Sequence, residues 1–163
     1  MVRNLRVGGN QYGVVSDGVG HSLELLGVLV AEAAVSGVMV RSGGQFIASG
    51  LVVRDTRSWS AEPRFGRGLD VSHGAQAEVA RAVFERNRDV AIYASDAGTS
   101  VTLREVVVRE TRSGESDNAR GRGVDAWDGA TVSLARSAIE NNRECALFAT
   151  GTGSTLALSE VVV

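Results

Sequence analysis

The stretch GRGLDVSHGAQAEVARAVFERNRDVAIYASDAGTSVTLREVVV, Gly66–Val108, returns as GRGVDAWDGATVSLARSAIENNRECALFATGTGSTLALSEVVV, Gly121–Val163. The two stretches align without a gap at an offset of 55 in sequence number and are identical at 19 of 43 positions. The end of an earlier copy is visible in Val52–Ser58, which precedes Val107–Ser113 by the same offset. Because a fixed internal period is the signature of repeat architectures, the chain is predicted to be built from a 55-residue unit.

Each 55-residue unit divides again into two similar halves. In the first half, apolar residues alternate with other residues in three short segments, Leu69–Val71, Ala77–Val79 and Ala82–Phe84. The same order of segments returns in Ile92–Val108. A period of two predicts a strand, so each half is expected to hold three short strands joined by turns. Valine, the commonest residue, favours strands, and the 20 glycines favour the turns between them.

Three short strands bury little by themselves, but stacked halves form three parallel sheets around one apolar interior. We therefore predict an all-β fold with one domain over residues 1–163. Asn87 and Asn142 are predicted to occupy turns of left-handed backbone, which asparagine tolerates best after glycine. The expected coils are about six, at 13–36, 37–67, 68–90, 91–122, 123–145 and 146–163.

The pattern x-I-x-x-N-x-x-x-A-I, seen in Ala138–Leu147, resembles the repeats of right-handed parallel β-helix proteins. That superfamily includes pectate lyases, polygalacturonases, tailspikes and many uncharacterised bacterial surface proteins. The resemblance covers nearly the whole chain and implies a right-handed parallel β-helix, a solenoid of coils. It specifies architecture and leaves function open, because one fold supports many functions.

Composition excludes several classes of function. The 163 residues carry 17 arginines, no lysine and 19 acidic residues, for a net charge of −2. This balance does not predict a nucleic-acid partner or attraction to an anionic membrane, and lysine chemistry is excluded. No run of eighteen apolar residues predicts a membrane span, and Val2–Asn10 does not resemble a signal peptide. The single cysteine, Cys145, cannot form a disulfide within the chain.

One outward face of the predicted coils is a candidate binding surface. Where Leu69 and Val71 point inward, Asp70 points outward. By the same alternation, successive coils present Asp70, Tyr93, Asp125 and Phe148 in a line, with Met39 before them. In enzymes of the resembled superfamily, saccharide chains lie along an outer sheet face, so the line is a candidate glycan-binding strip. The alternative is that the duplication copied an outward aspartate and an outward aromatic residue without a ligand.

The sequence assigns no catalytic residue. Asp70 and Asp125 are expected to lie two coils, about 9.6 Å, apart, near the upper limit for the carboxylates of inverting glycosidases. Tyr93 stands between them, however, and the characteristic short motifs of polygalacturonases are absent. No cofactor or metal is predicted; the candidate for a metal site is calcium shared by Asp125 and Asp128. The Gly-Arg-Gly triplets precede strands, not helices, so they do not predict a phosphate site.

These observations predict a non-enzymatic structural or binding module of a secreted or cell-surface protein that contacts a glycan or a protein. One alternative is a polysaccharide lyase or glycoside hydrolase of the pectate-lyase-like superfamily. Another is a spacer or self-assembly element. Neither Val2–Val7 nor Val161–Val163 resembles a cap for a stack of coils. We therefore hypothesise that the chain belongs to a longer solenoid or associates end to end.

Overall fold

The computed structural model describes residues 1–59, 65–115 and 118–163. Within these ranges it contains sixteen strands and no helix, so the all-β prediction is confirmed. The strands are β1 Val2–Arg3, β2 Arg6–Gly8, β3 Tyr12–Asp17, β4 Ser22–Leu26, β5 Leu29–Ala31, β6 Ser36–Arg41, β7 Gln45–Ser49, β8 Val52–Arg54, β9 Arg67–Val71, β10 Gln76–Glu85, β11 Val90–Ser95, β12 Ser100–Arg109, β13 Arg122–Trp127, β14 Thr131–Glu140, β15 Leu147–Thr150 and β16 Thr155–Val162.

These strands form two sheets of parallel strands, so the prediction of three sheets is wrong: the second and third segments of each half of the repeat lie in the same sheet. The six-stranded sheet has the order β3-β6-β9-β11-β13-β15. The ten-stranded sheet follows β1-β4-β7-β10-β12-β14-β16, with β2-β5-β8 as a second arm that joins it at β10. From β3 onward the chain visits the six-stranded sheet and then the ten-stranded sheet, and we call each such visit to both sheets a pass.

The 55-residue period of the sequence appears as strand register. Gln76 of β10 pairs with Ser100 of β12, Ser100 pairs with Thr131 of β14, and Thr131 pairs with Thr155 of β16. The sequence number rises by 24, 31 and 24 at these steps, so two successive steps complete one 55-residue unit. Equivalent residues of the two copies therefore lie two strands apart, about 9.6 Å by the usual strand spacing.

The second and third apolar segments of each later pass belong to one long strand with a corner inside it. The corner falls on Arg81 of β10, Glu105 of β12 and Arg136 of β14, whose φ angles are 52°, 56° and 49°. A left-handed residue reverses the in-and-out alternation, so the segments on both sides of it keep their apolar side chains inside. Gly27 and Gly50 have positive φ angles at the corresponding corners of earlier passes.

The apolar interior lies between the inward faces of the two sheets. Val38, Leu69, Ile92 and Val124 pair in register along the six-stranded sheet, and all four are fully buried. Phe46 and Phe84 of the ten-stranded sheet are among the largest fully buried side chains. Each such side chain contributes roughly 1.5–3 kcal/mol of burial free energy, so the stacked ladders supply the main stabilisation.

The turns at Asn87 and Asn142 differ from the prediction in one respect. The left-handed backbone falls one residue earlier, on Arg86 and Asn141, with φ angles of 51° and 53°. Asn87 is instead fully buried, with its side chain inside the turn. There, its Oδ1 accepts hydrogen bonds from the Thr56 hydroxyl at 3.0 Å and the Thr56 backbone N–H at 3.4 Å.

The later copy of this turn has fewer hydrogen bonds. The Nδ2 of Asn87 donates to the Val53 carbonyl at 3.0 Å. In contrast, Asn142 accepts one hydrogen bond, from the Thr111 N–H at 3.1 Å. Its buried Nδ2 and the Thr111 hydroxyl have no hydrogen-bond partner among the described residues. The two asparagines are therefore equivalent in position but unequal in their hydrogen bonding.

This inequality predicts different costs for the same substitution. Asn87→Ala is expected to lower the free energy of unfolding by about 3 kcal/mol, because it leaves the buried Thr56 N–H without a partner and removes the hydrogen bonds to the Thr56 hydroxyl and the Val53 carbonyl. Asn142→Ala, the matched control, should cost about 1 kcal/mol. Urea unfolding followed by far-ultraviolet circular dichroism measures both, and equal losses would contradict this account of the turn.

Candidate functional site

The structure places the residues of the proposed strip in one line on the outward face of the six-stranded sheet. Met39 pairs with Asp70, Asp70 with Tyr93, Tyr93 with Asp125, and Asp125 with Phe148. The five residues therefore occupy equivalent positions on successive strands. Their role in binding a glycan stays a prediction, but four of them, Asp70, Tyr93, Asp125 and Phe148, contact arginines that the sequence did not assign to the site.

Arg67 is the centre of the first cluster. Its guanidinium carbon lies 3.6 Å from the centroid of the Tyr93 ring and 5.1 Å from that of Phe65. Its Nη1 donates to Asp70 at 2.9 Å and its Nε donates to Asp89 at 3.3 Å. Burial opposes the charge of Arg67, but the two carboxylates outweigh it and raise the pKa of this side chain. Two carboxylates thus hold the guanidinium over the face of an aromatic ring.

The same cluster returns in the second copy of the repeat. The guanidinium carbon of Arg122 lies 3.7 Å from the centroid of the Phe148 ring. Its Nη1 donates to Asp125 at 3.3 Å and its Nη2 donates to Glu144 at 2.7 Å. The duplication has therefore preserved a complete arrangement of arginine, two carboxylates and an aromatic ring.

The Gly-Arg-Gly triplets explain how the arginines reach this position. Gly66 has a φ of +98°, which favours glycine. A side chain at Gly68 would bring its Cβ to 2.5 Å from the Ala91 carbonyl oxygen, and one at Gly123 would meet the Ala146 oxygen at the same distance. The glycines allow the backbone to approach the neighbouring strand closely, while the arginine between them directs its side chain outward. Repetition of this triplet, and of an acidic residue 22 positions later, was the signal that could have identified the clusters.

Trp127 joins the two clusters through its ring. Its centroid lies 6.5 Å from that of Tyr93 and 6.2 Å from that of Phe148, with tilted planes in both pairs. These are ordinary distances for packed aromatic rings. Serine occupies the equivalent position of the first copy, at Ser72, so the tryptophan is specific to the second. Tyr93, Trp127 and Phe148 form a half-buried row of rings, which we call the ring row.

Asp125 differs from the exposed carboxylate that the strip hypothesis expects. It lies on the outward face, but Arg122 and Trp127 contact it and only 1% of it is exposed, whereas the side chain of Asp70 is 14% exposed. Its Oδ2 accepts the Arg122 hydrogen bond and a 3.4 Å contact from the Trp127 indole N–H. Its buried Oδ1 has no partner among the described residues. Burial raises the pKa of Asp125 to about 6, although Arg122 acts in the opposite direction.

Asp125 and Asp128 do not form a calcium site by themselves. Asp125 directs one oxygen to Arg122 and Trp127, while Asp128 is exposed in the following turn with a φ of 46°. In the described ranges, no group of three or more histidine, cysteine, aspartate and glutamate side chains could hold a metal ion. The pair stays a prediction, without a third ligand beside it in that part of the chain.

Comparison with known proteins finds no matching family model, no similar curated protein and no similar solved structure. The part of the chain that the structure describes also contains no helix long and apolar enough to cross a membrane. The clusters and the ring row are the features of the molecule that indicate a function.

The buried carboxylate predicts a pH dependence of stability. Between about pH 4 and pH 6 the folded chain holds a proton on Asp125 that the unfolded chain has lost, because the folded pKa is the higher one. The contribution of this group to stability therefore falls as the pH rises through this window, by up to about 3 kcal/mol. Asp125→Asn should remove that fall, as measured by urea unfolding at pH 4 and pH 7.

Asp70→Asn, one repeat earlier, is the matched control for the same change of charge. The gain in stability of Asp125→Asn over the wild type is expected to grow between pH 4 and pH 7 and to exceed that of the control. A constant difference across this range would mean that Asp125 keeps the same protonation in the folded and unfolded chains.

Proposed function

We propose that this chain is a right-handed parallel β-helix that serves as a non-enzymatic binding module of a secreted or cell-surface protein, of the bacterial type that its repeats resemble. The support for the solenoid is that each strand pairs in parallel with the strand one pass later. Connections between parallel strands of one sheet are right-handed in nearly all proteins, which supports the handedness.

The observation that carries the binding proposal is the duplicated cluster beside the ring row. The half-buried rings offer apolar surface against which sugar rings pack, and the partly exposed carboxylate of Asp70 accepts hydrogen bonds from hydroxyl groups. The two clusters lie two strands, about 9.6 Å, apart. A ligand that contacts both has chemistry that repeats along its length. A polysaccharide that lies along Asp70, Tyr93, Asp125 and Phe148 has this property.

The positions of the carboxylates favour binding over catalysis. Asp70 and Asp125 each pair with their own arginine, and Tyr93 lies between them in the register. Two carboxylates that cleave a glycosidic bond must act on the same bond from both sides. The raised pKa of Asp125 is the observation that favours the alternative, a lyase or hydrolase of the pectate-lyase-like superfamily. The covered position of this carboxyl group is the reason we prefer the binding module.

The fluorescence of Trp127 tests the proposal. The chain has two tryptophans, so Trp59→Phe leaves Trp127 as the reporter. Titration with oligosaccharides of uronic acids, and separately with neutral oligosaccharides, should change the emission with at least one class. Adding Tyr93→Ala should weaken that binding by about tenfold, because one stacking contact is lost.

Thr102→Ala, on the outward face of the ten-stranded sheet, is the control and should leave the affinity unchanged. Unchanged emission with both classes of sugar would overturn the glycan proposal and favour a protein partner or a spacer. Binding that Tyr93→Ala does not weaken would place the ligand elsewhere. Release of unsaturated sugars, seen as ultraviolet absorbance, would show a lyase instead of a binding module.

A further inference from the structure

A second surface, on the ten-stranded sheet, has an unusual composition. One outward position of the third segment is apolar in every pass, and neighbouring residues in this set pair in register. We call these residues the apolar ladder: Leu29, Val52, Val83, Val107, Ala138 and Val162. The first five are half-buried and Val162 is 65% exposed. No strand of the described residues packs across the ladder, because their strand contacts follow the two sheets and the edges between them.

Other outward positions on the same strands are mostly polar. The register set of Gln45, Gln76, Ser100, Thr131 and Thr155 carries only amide and hydroxyl groups. Another register set is polar at four of six positions and apolar at two: Glu24, Ile47, Glu78, Thr102, Ser133 and Ala157. An apolar residue at six successive passes is therefore a property of one position, not of the whole outward face.

Charged residues flank the ladder on both sides, and their signs alternate from pass to pass. One flank consists of Arg54, Glu85, Arg109 and Glu140, which pair in register. The other consists of the corner residues Arg81, Glu105, Arg136 and Glu160. Where a pass carries a charge on both flanks, the two charges are opposite in sign. For example, β10 carries Arg81 on one side and Glu85 on the other.

We propose that a second copy of this chain covers the apolar ladder. A two-fold axis across the ladder, between β10 and β12, brings Arg81 of one copy opposite Glu105 of the other. A two-fold axis along the ladder brings the exposed Glu105 of one copy opposite the exposed Arg109 of the other instead. Unlike charges meet in both arrangements, because the signs alternate along each flank and across each pass. A partner with a uniformly acidic or basic surface would meet as many like charges as unlike ones.

The size of the surface predicts the strength of the association. Six passes at about 4.8 Å and five residues at about 3.3 Å give a face roughly 29 Å long and 17 Å wide. Each copy would bury about 500 Å², or about 1,000 Å² in total, which is below the range of stable specific interfaces and within that of weak, transient ones. The dimer is therefore expected to be weak and to form as the protein concentration rises.

Sedimentation equilibrium over a range of concentrations tests this interface. The wild type should show a monomer–dimer equilibrium. Val107→Arg should raise the dimer dissociation constant by at least about tenfold, because the guanidinium would be buried against apolar side chains. Thr102→Arg, the same substitution on the outward face of β12, is the matched control and should leave the constant nearly unchanged. Far-ultraviolet circular dichroism verifies that both variants are folded.

A cross-linking experiment avoids a disruptive substitution. In a Cys145→Ser background, Val107→Cys carries a single thiol on the ladder, and Thr102→Cys carries one on the control position. A short bis-maleimide should link two copies through position 107 in higher yield than through position 102. A monomeric wild type at all concentrations, equal effects of the two arginine variants, or equal cross-linking yields would overturn the proposal. Because the ring row lies on the other sheet, loss of the dimer and loss of glycan binding are measured independently.

Discussion

Parallel hydrogen bonding between each strand and the strand one pass later is the constraint on which the rest of this structure depends. It brings residues 23 to 32 positions apart side by side, so each position in a pass becomes a ladder that runs through the molecule. On the inward face, an apolar residue of one strand therefore lies beside an apolar residue of the next strand. This is why a duplicated sequence can build one continuous interior, with the same inward alternation in each copy.

The same constraint organises the outward surfaces. Because the sequence period is two passes, an outward charged or aromatic side chain recurs on every second strand of a sheet. The strand between two such residues carries a residue of a different type. On the six-stranded sheet this alternation places Arg67 over Tyr93 and Arg122 over Phe148. On the ten-stranded sheet it produces flanks of alternating charge around the apolar ladder. A recognition surface and a self-complementary surface can therefore both arise from one duplication.

Particular residues show how far sequence reasoning reached. The alternation around Asp70, Tyr93, Asp125 and Phe148 was sufficient to place them in one outward line, because the strand period determines direction. It was not sufficient to show that Asp125 is covered, because cover depends on the side chains that fold back over the sheet. The turn at Asn87 shows the same limit. Its position followed from the repeat, but its role inside the turn required the hydrogen bonds to Thr56 and Val53.

The sequence by itself determined the strand content, the 55-residue period, the residues that face inward and the composition of each ladder, because these follow from local alternation and repetition. Only the tertiary structure decided which outward groups touch. Arg67 meets Asp89, and Trp127 packs between Tyr93 and Phe148, although the partners in each contact are far apart in sequence. Those contacts depend on register between strands and on the reach of long side chains, and these are physical properties of the stacked passes that no local pattern contains.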